Sequence, residues 1–237
     1  MADGGYFHSD GYLYVSTDWH GDYEGFRKWI SLIGEHMTKK RVKIASALVL
    51  GDILDPKDPR AIAIDGDRKI INLTREINED YNFGFGINIC LGNHERDILF
   101  LDEVRKRGGD ITRFLKTYRS ITTLTPQEIR SLEDLPASFQ VTTRGLFFSH
   151  AGLPPLEKTL NEVFYEPSEE IVTALVNGTP EDRDPELVKQ KLRGINMRYS
   201  ISGHTPMKKF PAEDKKYGFA TVGDRRIVFT SSNGHET

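Results

Sequence analysis

The chain has a single cysteine, Cys90, in 237 residues. No intramolecular disulfide can form, and a reducing compartment is expected. Cys90 follows the apolar "INI" and reads as a small core residue rather than a reactive thiol. No apolar run approaches the roughly 20 residues that a membrane span needs. The first residues, "MADGGYFHSDG", lack the basic and apolar regions of a signal peptide. Positive charge is not in excess either: 32 Lys and Arg stand against 35 Asp and Glu, for a net charge of -3. That removes the electrostatic case for a nucleic-acid polymer as partner. Internal repeats, low-complexity tracts and a clear linker are also absent. The expectation is a soluble cytoplasmic protein that engages neither membrane nor nucleic-acid polymer, folded as one domain over residues 1–237.

What the chain does have is enough apolar residue for a core, 38% hydrophobic and 10% aromatic, in a clear order. Tyr12–Ser16 is an apolar run of strand-forming residues. Phe26, Ile30, Ile33 and Met37 then recur at helical spacing. "ASALVLGD" reads as a buried strand ending at Leu50, and a helix follows through Ile70, Ile77 and Tyr81. "GINICLGN" is a third buried strand and "DILFLDEVRK" a third helix. Continuous apolar strands separated by helices point to an α/β fold with parallel strands covered on both faces. Thr125, Pro126 and Glu128 make a capping box with Pro at the first helical position. "FQVTTRGLFFSHAG" resembles a hairpin around Thr143–Gly145. A polar, helical cap or insertion is expected around residues 154–193, with "NGTPEDRDPE" as a flexible loop. "RYSISGH", "YGFATV" and "RRIVFTSS" close the chain as short strands.

The chemistry gathers at the carboxyl ends of these strands. "YLYVSTDWHGDYEGF" turns acidic where its strand stops and delivers Asp18 and His20; "LGDILDP" delivers Asp52 and Asp55. "LGNHERD" delivers Asn93, His94 and Glu95, "LFFSHAG" ends in His150, and "SISGHTP" ends in His204. Four of the seven histidines follow apolar β runs, His20 and His204 directly beside a glycine, which allows a sharp turn or a close approach. Taken singly, each piece has a plain structural reading. Gly-Asp is a turn, His150 a hydrogen-bonded core residue, and Asp22 the cap of the helix after it. Glu95 has the same capping option. The joint occurrence at the same end of successive strands decides for function, because ligands in open α/β sheets bind there. Converging, these ends would assemble aspartates, an asparagine and histidines, with an Asp55–His94 pair beside them.

"DWHGDYEGF", "LGDILDP", "LGNHE", "SHAGL" and "SGHTP" together resemble the calcineurin-like metallophosphoesterases, and most of all their phosphoprotein (serine/threonine) phosphatase branch. The resemblance runs from Tyr12 to about Pro206. It implies a sandwich of two mixed sheets flanked by helices in four layers, with two divalent metals at the strand ends. Asp18 and His20 would hold the first metal, Asp52 would bridge, and Asn93, His150 and His204 would complete the second. Nitrogen and oxygen ligands without thiolate suit manganese first, with iron or zinc as alternatives. Two metals about 3.5–4 Å apart clamp an in-line displacement by water. The implied partner is a phosphorylated protein or a small phosphoester.

Two departures from the branch matter. Pro206 stands where other branches carry the second histidine of GHxH, which favours the phosphatase branch. Pro56 stands where the branch has the arginine of GDxxDRG, a bidentate phosphate grip that proline cannot supply. Arg96 and Arg183 are the replacement candidates, and each is equally readable as a solvated arginine. His94 is expected to act as general acid, oriented by Asp55. The leading expectation is a phosphatase acting on phosphoserine or phosphothreonine. The alternatives are a hydrolase of a small nucleotide, such as a dinucleoside polyphosphate, and a non-catalytic scaffold.

Overall fold

A computed structural model describes residues 12–141 and 144–204, except the side chains of Tyr81 and Arg183. It also gives the backbone of residues 5–6, 215–216, 219–222 and 227–230. In chain order the first strands and helices are β1 (Gly5–Tyr6), β2 (Tyr12–Ser16), α1 (Tyr23–Lys40), β3 (Ala45–Val49), α2 (Pro59–Ala63) and α3 (Gly66–Glu79). Next come β4 (Phe85–Ile89), α4 (Asn93–Lys106), α5 (Ser120–Thr123), α6 (Pro126–Glu133), β5 (Ser138–Val141) and β6 (Leu146–Ser149). The remainder is α7 (Leu160–Phe164), α8 (Glu169–Asn177), α9 (Pro185–Gly194), β7 (Tyr199–Ser202), β8 (Lys215–Lys216), β9 (Phe219–Val222) and β10 (Ile227–Thr230).

Two sheets result. β2–β3–β4 is wholly parallel, each strand returning to the sheet through a helix, while the larger sheet runs β1–β5–β6–β7–β10–β9–β8 and is mixed. Alternation along the strands builds the layers. Ala45, Ala47 and Val49 of β3 face a core shared with Phe26 and Ile33 of α1, Ile70 of α3 and Ile98 of α4. Leu48, between them, faces the other way and meets Phe139, Val141 and Phe148 of the larger sheet. Phe147 turns outward instead and packs under Phe164, Leu175, Val188 and Leu192 of α7, α8 and α9. The order is helices, small sheet, large sheet, helices: the α/β sandwich expected. Cys90 is fully buried between the sheets, and burial pushes its thiol pKa up, as a packing residue requires.

Several local expectations are met and others shift. Thr125 and Glu128 form the capping box at the start of α6. Asp22 caps α1, accepting from the Gly25 N–H at 3.0 Å. β5 and β6 pair antiparallel from Ser138↔Ser149 to Val141↔Leu146, with residues 142–143 of the turn outside the described residues. The α3 helix stops at Glu79, short of Tyr81, because Asp80 takes an extended conformation. The "NGTPEDRDPE" segment is not the expected loop. Its residues 180–183 form a 3-10 turn, and Pro185 opens α9. The buried Lys191 ammonium fixes it, 2.9 Å from Asp182 and 3.1 Å from Thr179 Oγ1. Among the described residues no helix is long and apolar enough to cross a membrane.

Candidate metal centre

The carboxyl ends of β2, β3, β4, β6 and β7 lie on one edge, because β2–β3–β4 run parallel and β6 runs parallel to β7. The loops after β2 and β3 lie side by side as a short ladder: Asp18 N–H to Gly51 C=O (3.1 Å), His20 N–H to Asp52 C=O (2.8 Å), Gly21 N–H to Ile53 C=O (2.9 Å). Asp18, His20, Asp52, Asp55 and His204 all have positive φ, between 43° and 63°. Non-glycine residues adopt this left-handed conformation only when their surroundings compel it, and such residues cluster at functional sites. Here it re-aims the side chains toward a common centre. Gly51, at φ 78°, allows a close approach: a Cβ there would lie 2.5 Å from the Gly92 Cα. The loop bearing Asp52 can therefore press against the start of α4.

Ligand atoms of Asp18, Asp52, His150 and His204 all fall within 4.8 Å of one another, and so do those of His20, Asp52 and His94. Asp52 belongs to both groups. Its Oδ2 is 3.4 Å from His150 Nε2 and 3.7 Å from His20 Nε2. Asn93 Oδ1 and His204 Nδ1 stand 3.0 and 3.1 Å from His150 Nε2. The tautomers are set from behind. His150 Nδ1–H donates to the Leu50 carbonyl (2.5 Å) and His20 Nδ1–H to the Leu54 carbonyl (3.1 Å). Each ring thus turns Nε2 toward the centre, the arrangement found behind metal-binding histidines. Two carboxylates and several ring nitrogens meeting at one point call for positive charge among them, and the oxygen and nitrogen donor set fits divalent metals. Asp18 is held in place as well, its Oδ2 accepting from Thr17 Oγ1 at 2.5 Å and from the His204 N–H at 2.9 Å.

The electrostatics follow from burial and mutual contact. Burial opposes the Asp52 charge, yet the His150 imidazole, with His94 and His20, holds this carboxyl well below the usual range. Against the pull of its own burial, the Asp52 charge raises His150 to about 9. Burial lowers His20, Asp52 resists, and the Lys57 charge adds to the lowering. Burial also pulls His94 down, but the Asp55 hydrogen bond and the charges of Asp52, Asp55 and Glu95 outweigh it and raise its pKa.

Asn93 and His94 are not loop residues. They open α4, on its first turn, which turns their side chains about 100° apart. His94 Nδ1 lies 2.9 Å from Asp55 Oδ2. Asp55 is itself fixed by Ser120: its Oδ1 accepts the Ser120 N–H and its own N–H donates to Ser120 Oγ, both at 2.9 Å. Ser120 Oγ in turn donates to Asp67 Oδ2 at 2.5 Å. Nothing local in the sequence marks Ser120, 65 residues beyond Asp55, or Asp67 in its polar company, as site residues.

Glu95 does more than cap a helix. Its fully buried carboxylate accepts the backbone N–H groups of Asp52, Ile53, Leu54 and Gly92 at 2.8–3.1 Å, which locks the Asp52 loop to the start of α4. Burial, and then the Asp52 charge, push Glu95 up to about 7. Lys57, passed over in the sequence although it follows Pro56, brings its Nζ to 2.8 Å from His20 Nε2. Arg96 is engaged elsewhere, by Glu169 and by Thr173 Oγ1 (2.9 Å) of α8. The Arg183 side chain and Pro206 lie outside the described residues.

A profile of the calcineurin-like phosphoesterase family matches residues 12–208. The chain belongs to that family. Its members depend on two metals, in keeping with the two ligand groups that share Asp52. Two solved structures share the fold at low identity. A candidate diadenosine tetraphosphatase superposes over 98% of this chain and 89% of its own, with a TM-score of 0.58 and 14% identity. A cold-active protein-tyrosine phosphatase of a psychrophilic Shewanella species does so over 93% and 73%, at a TM-score of 0.52 and 12% identity. At such identities the likeness is one of fold alone. No curated protein matches this calcineurin-like phosphoesterase in sequence.

Proposed function

We propose that this calcineurin-like phosphoesterase is a metal-dependent phosphomonoesterase, with Asp18 and His20 on one metal, Asn93, His150 and His204 on the other, and Asp52 on both. The observation that carries the reading is Asp52 standing in both groups of ligand atoms while His20 and His150 turn Nε2 toward it; Asp18 falls in the group of His150 and His204, and its place beside His20 follows the family pattern. Such a metal pair, when bound, neutralises phosphoryl charge and makes water a competent nucleophile near neutral pH. The chain supplies the rest. Glu95 keeps the Asp52 loop from relaxing, and Asp55 holds His94 through Nδ1. With Nδ1–H committed to Asp55, the proton that His94 gives to the leaving oxygen sits on Nε2. Manganese is the proposed metal, with iron or zinc as substitutes, on the oxygen and nitrogen donor set.

Lys57 takes the phosphate-binding task for which Pro56 leaves no arginine. Two cations cannot share His20 Nε2, so Lys57 leaves that nitrogen when a divalent ion occupies it, and its flexible stem carries the ammonium to the phosphoryl oxygens. Arg96 is less suited, being engaged by Glu169 and Thr173. Lys57→Met should raise KM for phosphoesters about tenfold, on the scale of one charge-assisted hydrogen bond. It should also weaken inhibition by free phosphate at unchanged metal content. An unaltered KM and unaltered phosphate inhibition would remove Lys57 from the site.

The reading as a whole is tested on protein stripped with a chelator. Hydrolysis of phosphopeptides, nucleotides and p-nitrophenyl phosphate should be absent, then return with added manganese. Correctly folded protein that turns over none of these with manganese, iron or zinc would leave the non-catalytic scaffold as the reading.

A further inference from the structure

Beside the metal ligands lies a cavity of about 470 Å³ between two segments, residues 18–24 and 57–64. Asp18 and His20 form part of its wall, so the cavity opens onto the site where phosphate would react. Lys57 is at the same junction. The apolar part of the wall is Trp19 and Tyr23 from one segment and Ala61 and Ile64 from the other. Trp19 is fixed from behind, its Nε1–H donating to Ser16 Oγ at 3.0 Å and its ring packed on Phe26 and Trp29 at centroid distances of 5.4 and 5.9 Å. A side chain held this firmly keeps its place when a ligand arrives, which lowers the ordering cost of binding.

We propose that this cavity binds the aromatic, nucleoside-sized ester group of a small phosphoester whose phosphoryl group lies at the metal ligands. The proposal rests on the phosphomonoesterase reading and names its substrate class. Three features select this occupant. The volume falls in the range of about 300–1,000 Å³ typical of small-molecule sites. An extended phosphopeptide would instead need a long groove or a free sheet edge, whereas this wall comes from two short segments. The aromatic wall rewards a flat ring, and a base stacked on an aromatic side chain gains roughly one to two powers of ten in affinity. The charged part of the wall carries both signs, Asp22 and Glu24 with Lys57 and an Arg60–Asp58 pair at 2.9 Å, so it is the apolar surface that selects the ester group.

The test uses the whole metal-loaded chain, with adenosine 5′-monophosphate and glycerol 2-phosphate as substrates and adenosine alone as the binding probe. The wild-type protein should favour the nucleotide at least tenfold in kcat/KM. Ile64→Trp, which fills the cavity, should lower that ratio about tenfold, chiefly through KM. Should that variant fail to fold, Trp19→Phe should lower the same ratio severalfold. Calorimetry should show adenosine, which has no phosphate, binding the wild-type protein and not Ile64→Trp. Active protein with equal kcat/KM for the two esters, and no heat with adenosine, would overturn the cavity assignment and leave the phosphomonoesterase reading standing. Adenosine binding without hydrolysis of any ester would do the reverse.

Discussion

Asp52→Asn is expected to empty both metal positions together and to cut phosphoester turnover by a factor on the order of 10²–10³ or more, the scale on which removal of one electrostatic stabiliser is felt. The argument rests on charge. Asp52 belongs to both ligand groups, and its neighbours are mostly neutral donors: Asn93, His20, His150 and His204. Asparagine keeps an oxygen that can accept the His94 N–H, now bound at 3.1 Å, so the loop geometry has no cause to collapse. What disappears is the negative charge shared by two cations. His20→Ala removes a ligand from one group only and should lower the occupancy of one position while the other stays filled. Elemental analysis of purified protein, with a thermal melt to confirm folding, separates the cases. Two fully occupied metals in Asp52→Asn would show that Asp52 is not shared.

Most of this centre was legible in the sequence because its signals are local. An apolar run that passes within a few residues into Asp, Asn or His marks both where a strand stops and what the turn presents: β3 runs into Gly-Asp, β4 into Gly-Asn-His, β7 into Gly-His, β2 into Asp18 and His20, and β6 directly into His150. What could not be read depends on contacts distant in sequence. Glu95 looks like the third residue of a helix, and it is; three of its four backbone donors arrive from residues 52–54. Ser120 and Asp67 act on Asp55 across the fold, and no local pattern marks them. The "NGTPEDRDPE" segment has the composition of a loop, and only burial of Lys191 against Asp182, nine residues earlier, orders it. Strand β1 is two residues long and exists only by pairing with Phe139 and Gln140. Lys57 is the instructive miss. A cation beside Pro56 was in plain view, but a lysine in a polar loop reads as solvated until its ammonium is seen against His20.

His94→Asn should cripple hydrolysis of alkyl phosphates by about 10²–10⁴-fold, the usual worth of a positioned general acid, and should hurt p-nitrophenyl phosphate far less. An alkoxide leaves badly without a proton, whereas p-nitrophenolate departs readily unprotonated, so only the first substrate needs the acid. The geometry gives His94 the means. Asp55 accepts from Nδ1 at 2.9 Å, and its hydrogen bond and charge favour the protonated ring against the pull of burial. Asp55 is locked by two hydrogen bonds to Ser120, so it cannot turn away. Adenosine 5′-monophosphate is the apt alkyl ester for the comparison, since both it and p-nitrophenyl phosphate carry a ring and any preference of the cavity is shared. Asp55→Asn should show the same ordering more mildly, because the amide still reaches Nδ1 but no longer charges the ring. The rival role for His94 is that of a metal ligand, since its ring lies in one group with His20 and Asp52. A ligand lost from the centre would depress both substrates equally and lower metal content. Equal losses on the two esters with both metals still bound would end the general-acid assignment.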